Sequence, residues 1–499
     1  MSPAASGCTS MSVIPILRLG AVKGVQRFQE HLRSIGVVIP CDGELLAGSE
    51  SPLQWPLLRG GIEIGNRFAV QPMEGWDGLP DGNPSENTVR RWRRFGSSGA
   101  KLIWGGEAVA VSHEARANPN QLVIAPHTHA GLASLRAVLL EGHREATGSA
   151  EPPLLGLQLT HSGRYCRPNV YNQPEPKILY YHPILDRKLG LSPDSPLLTD
   201  QQIGAIVEDF HRAARAAWEL GFDFVDIKHC HGYLGHEFLS ARKRNGIYGG
   251  SFENRTRFLR EVVEGIRSGA PGLRIGVRLS AFDTVPFRPD PSLSSNGKMG
   301  PGIPEVHNHL IPYEWGFGVD SQCPTQIDLT ETRQFLGLLQ ELEISLVNLT
   351  AGSPYYNPHV QRPALYPPSD GYQPPEDPLI GVARQMQAAR QLKAEFPQLI
   401  VVGTAYSYLQ DFLPYVAQAA IREGWADVIG LGRMVLSYPG LLLDASEGRT
   451  IQHRLVCRTF SDCTTAPKMG LPSGCYPLDE HYKTSEPAVK LKAAKAGPR

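Results

Sequence analysis

Lys228, His231 and Tyr233 fall within Lys228-His229-Cys230-His231-Gly232-Tyr233, directly after the apolar run 224–227. An ammonium, an imidazole and a phenol held together can stabilise an oxyanion and deliver a proton. His231 and Tyr233 alternate along an extended chain, so both are expected to point into one cavity. A lone histidine is usually structural, whereas several at one strand tip followed by Gly-Tyr favour chemistry. Gln158 lies near the end of the run 154–159, which precedes Thr160-His161-Ser162-Gly163-Arg164. Its amide donates and accepts, which suits a heteroaromatic ring with carbonyl and imide edges, or equally a polar strand end bonded to backbone. Arg278 lies on the apolar run 274–278 and calls for an anionic partner, either a ligand or a structural carboxylate. Val402-Gly403-Thr404 and Gly430-Leu431-Gly432-Arg433 close two more runs. Glycine permits close backbone approach there, and Arg433 adds charge, so the pair of turns points to a phosphate-bearing ligand.

Polar groups at the tips of buried strands are how a parallel barrel builds its site. Short apolar runs at 67–71, 101–104, 154–159, 224–227, 274–278, 346–348, 399–402 and 427–429 alternate with helical patterns such as 199–220, 254–269 and 378–396. Thr199 and Asp377 stand where N-caps belong, with Pro378 at the first helical position. Eight strands with intervening helices predict an α/β fold, a (β/α)₈ TIM barrel with long insertions after strands five and six. A doubly wound sheet is the alternative, but it normally carries Gly-x-Gly-x-x-Gly, which is missing from this sequence. The segments 286–326 and 352–376 are rich in Pro and aromatic residues and leave the catalytic face, so lids or binding loops are expected, with an oligomer contact or a disordered insertion as alternatives. The expected organisation is an N-terminal helical extension at 1–55, a barrel at 56–450 and a C-terminal extension at 451–499. An amphipathic helix is expected at 21–36, and a frayed basic tail at 483–499.

Lysine plus arginine equals aspartate plus glutamate at 49 each, so no field favours nucleic acid or an anionic membrane. The sequence contains no apolar run long enough to span a bilayer, and residues 1–12 do not resemble a secretory leader. The eight cysteines are too scattered for a disulfide scaffold, which makes a reducing cytoplasm the expected setting.

Taken in chain order, the segments Asn66-Arg67-Phe68-Ala69-Val70-Gln71-Pro72-Met73, Gly105-Gly106-Glu107-Ala108-Val109, 158–164, His231-Gly232-Tyr233-Leu234, Tyr248-Gly249-Gly250-Ser251-Phe252-Glu253-Asn254-Arg255, Val277-Arg278, Val402-Gly403 and Leu431-Gly432-Arg433 resemble the old yellow enzyme family of NADH:flavin oxidoreductases. The resemblance covers roughly 62–440 and is nearer to the dienoyl-CoA reductase-like branch, without its C-terminal domain. It implies flavin mononucleotide (FMN) lying over the strand ends. Gln158 would read the pyrimidine edge, Arg278 would face N1 and O2, and Pro72, Met73 and Ala108 would lie near N5 and O4. Gly403, Thr404, Gly432 and Arg433 would hold the phosphate. His231 would bind a substrate carbonyl, and Tyr233 would protonate an electron-poor alkene that receives hydride, with NAD(P)H as reductant.

Two residues depart from the family pattern. Glu74 replaces the usual threonine or cysteine after Pro-Met, where it would oppose electron uptake if ionised, donate a hydrogen bond if protonated, or turn away. Lys228 replaces the first histidine of the substrate pair, either as a cationic oxyanion donor or as a salt-bridged rim residue. Cys457, Cys463 and Cys475 resemble the iron–sulfur segment of longer relatives, but Phe460 stands in a ligand position, so a 4Fe-4S cluster is not expected and no metal site is read. Electrons would come from NAD(P)H or a donor protein, and the substrate would be a small molecule. Two other functions remain open: oxidative amine dehydrogenation or demethylation on the same scaffold, and a flavin- or phosphate-binding barrel with little turnover.

Overall fold

The computed structural model describes residues 16–295 and 298–496. Cys8 and the region searched for a leader lie outside the described residues. Eight parallel strands form the centre: β1 (Phe68–Val70), β2 in two pieces (Leu102–Ile103 and Ala108–Ala110), β3 (Leu154–Thr160), β4 (Phe224–Ile227), β5 (Arg274–Ser280), β6 (Leu346–Thr350), β7 (Ile400–Gly403) and β8 (Val428–Leu431). Each pairs with the next, and β8 closes onto β1 through Ile429↔Phe68 and Leu431↔Val70. This is the (β/α)₈ barrel. The strands are apolar runs rather than alternating ones because both faces are covered.

Leu102, Trp104, Phe224, Leu346, Ile400 and Val428 fill the barrel interior against a small antiparallel hairpin, Leu57–Arg59 with Ile62–Ile64. Outside run α1 (Glu86–Gly96), α2 (His129–Thr147), α3 (Asp200–Glu219), α4 (Phe252–Gly269), α5 (Thr330–Glu341), α6 (Pro378–Glu395) and α7 (Leu413–Arg422). The two caps read from sequence are formed. Thr199 Oγ1 accepts from Gln202 N while Gln202 Oε1 accepts from Thr199 N. Asp377 accepts from Leu379 N.

The break in β2 was not foreseen. Gly105 (φ 148°) and Gly106 (φ 56°) kink the chain between its two halves. A Cβ on Gly105 would lie 2.6 Å from Gln158 N, and one on Gly106 would lie 2.5 Å from the Trp92 ring.

Both insertions are ordered among the described residues. The first carries the hairpin Phe287–Pro289 with Gly302–Pro304, and its Phe287 and Tyr313 pack with Tyr372 of the second. The N-terminal helix is shorter than expected, Val25–Ser34, because Gly24 (φ 81°) turns the chain before it. The tail also differs from a frayed terminus. It forms the helix Glu486–Ala496, whose Leu491 is buried against Ala466, Tyr476 and Tyr482. Asp479 fixes the same extension to α1 by accepting two hydrogen bonds from Arg90. Among the described residues no helix is long and apolar enough to cross a membrane.

Candidate functional site

A cleft of about 230 Å³ opens at the C-terminal ends of the strands. It is lined by Pro72, Met73, Glu74, Gln158, Lys228, His231, Tyr233, Arg278, Thr404, Gly432 and Arg433, all read from sequence. Two expected members do not line it. Ala108 turns its carbonyl to Gln121 Nε2, 3.1 Å away, because the Gly105-Gly106 kink redirects the strand. Gly403 is packed against the Tyr406 side chain. Ala405, Ser407 and Gly430 reach the cleft beside it.

Asp226, on β4 and fully buried, organises the strand-end floor. Its Oδ2 accepts from Gln158 Nε2 at 2.5 Å and its Oδ1 from the Arg278 backbone N–H at 2.7 Å. With one Nε2 hydrogen committed to Asp226, Gln158 keeps its oxygen as an acceptor, and its second amide hydrogen, for a ligand. The Arg278 guanidinium makes one long contact, 3.4 Å to Pro72 O, and its buried Nε has no partner. Burial lowers its pKa against the pull of Asp226 and Glu74. A buried guanidinium short of acceptors is costly without a ligand. An acceptor amide beside such a guanidinium is the donor–acceptor set that a flavin pyrimidine edge requires, so these residues fit FMN.

The substrate-side residues assemble differently from the sequence reading. β4 ends at Ile227, and His231 adopts a left-handed conformation (φ 66°) rather than continuing an extended strand. Ser280 Oγ accepts from its N–H, and Ser353 Oγ donates to its carbonyl, which holds this unfavourable conformation in place. Tyr233 then stands at the start of the short helix Leu234–Leu239. A turn, not strand alternation, brings the two side chains into one cleft.

Glu74 turns inward. It forms an ion pair with Lys228, and its Oε2 accepts from Tyr233 OH at 2.7 Å and from Trp76 Nε1 at 3.0 Å. The Lys228 ammonium lies 3.8 Å from the Tyr233 ring centroid. The Tyr355 hydroxyl, from the second insertion, is 2.8 Å from Tyr233 OH, and its ring stacks on Tyr165 at 3.8 Å. Burial, then Glu74 and Tyr355, raises the Tyr233 pKa well above the ordinary phenol value, so the proton stays on. Burial, then Arg278 and Lys228, keeps His231 neutral. Lys228 is therefore both a buried cleft residue and an ion-paired one.

Burial pushes His161 and His236 to about 3 and His229 to about 4. Each is neutral in the fold, so the unfolded chain takes up protons first as pH falls below about 6.5, and stability declines toward pH ~4. Asp226 acts in the opposite sense. Burial raises it to about 6, so its contribution favours the fold at low pH and is lost as pH rises through that value. His143, His182, His231 and His359 shift the same way as these three rings, and together they lose more on acidification than the raised carboxyls, Asp226 and Asp283 foremost, recover, so the urea midpoint should drop between pH ~7 and pH ~5. An unchanged midpoint would mean that these rings are solvated.

Sequence reading missed Asp226, although a carboxylate on an apolar strand was its signal, and it missed Tyr355 and Arg362, which lie in an aperiodic loop. Cys457, Cys463 and Cys475 line one small cavity with Phe460. No group of three or more His, Cys, Asp or Glu among the described residues is arranged to hold a metal ion.

Residues 52–290 match the family model described as "NADH:flavin oxidoreductase / NADH oxidase family". The putative 12-oxophytodienoate reductase 4 of Oryza sativa subsp. japonica is 33% identical over 47% of this chain and 60% of its own length. An NADPH dehydrogenase of Geobacillus sp. (strain WCH70) is 30% identical over 48% of this chain and 65% of its own length. The chain thus matches less than two thirds of these relatives' length. A 2-naphthoyl-CoA reductase structure superposes on 89% of this chain and 58% of its own with a TM-score of 0.62 at 17% identity, a likeness of fold. The barrel, the cleft and the matched segment, which is just under half of the chain, agree in their similarity to the NADH:flavin oxidoreductase / NADH oxidase family.

Proposed function

We propose that the cleft binds FMN and that the protein is an NAD(P)H-dependent oxidoreductase reducing the C=C bond of a small electron-poor alkene. The observation that carries this reading is the under-partnered Arg278 guanidinium and the Gln158 oxygen in one cleft with the Tyr233 hydroxyl. Gln158 and Arg278 would hold the ring's pyrimidine end, Pro72 and Met73 would flank it, and Thr404, Gly432 and Arg433 would take the phosphate. When bound, the flavin supplies hydride transfer from NAD(P)H to the alkene β-carbon.

The chain's own residues handle the substrate and the proton. Neutral His231 donates a hydrogen bond to the substrate carbonyl, which polarises the alkene. Tyr233 gives its proton to the α-carbon. The phenolate left behind sits under the Lys228 ammonium, and Tyr355 OH is within reach to return a proton to its oxygen. Glu74 accepts from Tyr233 and Lys228 together and so fixes both.

An amine-oxidising reading is disfavoured because the cationic position against Tyr233 and Glu74 is already filled by Lys228. A cytoplasmic setting, with NAD(P)H or a reduced donor protein at hand, suits the proposed activity. The yellow holoprotein should bleach anaerobically with NAD(P)H and recolour with an α,β-unsaturated ketone. Bleaching by amines alone, or no redox response to either reagent, would defeat the proposal.

A further inference from the structure

One end of the cleft carries more positive charge than its partners account for. Arg433, after β8, donates through NH2 to Pro363 O at 2.9 Å, and its NH1 is buried without an acceptor. Arg362, in the loop after β6, donates through NH1 to Thr464 Oγ1 at 2.5 Å, while its buried Nε and NH2 have no acceptor. Thr464 lies on α8 (Asp462–Lys468) of the C-terminal extension. All three residues line the cleft with Ser407 and Lys468.

Burial, then repulsion from Arg433, depresses Arg362 to about 10. The nearby Asp370 is committed to an ion pair with Lys468. The Cys463 thiol beside them is kept protonated by burial and brings no charge. Two adjacent guanidiniums with three unmet N–H directions, and no carboxylate bonded to either, make a site for a dianion with several acceptor oxygens. Gly432 at the same end leaves backbone room for a tetrahedral group, since a Cβ there would meet only Met73, at 3.7 Å.

We propose that Arg362 is a second phosphate-binding arginine, which clamps the FMN phosphate together with Arg433 and is positioned by Thr464. The proposal rests on the flavin reading above and extends it to a loop and an extension that lie outside the matched 52–290 segment. The phosphate thereby links three stretches of chain, and loading the cofactor should tie the loop after β6 to α8.

The test compares FMN with riboflavin, which lacks only the phosphate, by flavin-fluorescence titration of the apoprotein. The wild type should prefer FMN. Arg362→Ala should reduce that preference by roughly 30-fold while leaving riboflavin affinity unchanged. Arg362→Lys should recover part of it, and Thr464→Val should give a smaller loss of the same kind. Retained riboflavin binding is the control for folding. An unchanged FMN-to-riboflavin ratio in Arg362→Ala, or an equal loss of both ligands there and in Arg362→Lys, overturns the clamp and leaves the flavin reading standing. A wild-type protein that binds neither flavin overturns both.

Discussion

Tyr233→Phe is expected to slow alkene reduction by roughly 10²–10³-fold while flavin reduction by NAD(P)H stays within about twofold of wild type, because only the alkene half-reaction draws the proton from Tyr233. The substitution keeps the ring under Lys228 and removes only the hydroxyl that bonds to Glu74 and Tyr355. Pre-steady-state absorbance separates the halves. The flavin bleaches as NAD(P)H is mixed in, and colour returns as the alkene is added. Equal slowing of both phases would mean that Tyr233 shapes the cleft rather than donating the proton. An unaffected alkene phase would pass the proton role to Tyr355 or to solvent. The intact Glu74–Lys228 pair in this variant keeps local electrostatics close to wild type, so the result reports on the proton.

The second large effect concerns that pair. Lys228 and Glu74 side chains are 3% and 15% exposed, so removing one partner strands a charge in a poorly solvated place. Breaking such a pair costs about 3–5 kcal/mol, whereas replacing both partners by apolar groups of similar volume is often nearly neutral. Glu74→Leu should therefore lower stability by about 3 kcal/mol, and adding Lys228→Met should restore most of the loss. Urea unfolding of the two single variants and the double variant closes the cycle. Additive losses would mean that Lys228 finds water or another partner. The double variant would also keep its fold while losing the phenolate's countercharge, so its alkene half-reaction should stay impaired after stability is recovered.

The barrel was legible because each strand is an apolar run bounded by polar residues, and because Thr199 and Asp377 mark helix starts by side chains whose capping chemistry is local. Gly105-Gly106 hid the second half of β2, since two glycines read as a stop when they are in fact a kink that resumes at Ala108. The tail misled for a different reason. Its helix is held by one buried leucine, Leu491, with the partly buried Ala488 and a Lys495–Asp462 ion pair, and so few apolar positions leave no periodic pattern to detect. At the site, Gln158 and Arg278 were read into the cleft because strand position fixes where they point, whereas Asp226 on β4 was missed, and Ala108 and Gly403 do not line it. Glu74 and Lys228 were recognised as anomalies, but their pairing spans 154 positions and depends on tertiary closure. Arg362 and Thr464 offered no local signal. Their relevance emerges only when an aperiodic loop and a late helix meet at the mouth of the barrel.

That late helix has a consequence for biogenesis. Thr464, Lys468 and Ser473 wall the cleft, yet they are translated after the last barrel strand, which ends at Leu431. Strands can pair as they emerge from the ribosome, but the pocket has no finished rim until this stretch clears the exit tunnel. If the cleft holds FMN as proposed, a nascent chain stalled before Thr464 should carry a closed cylinder that holds the cofactor less tightly than the full chain does.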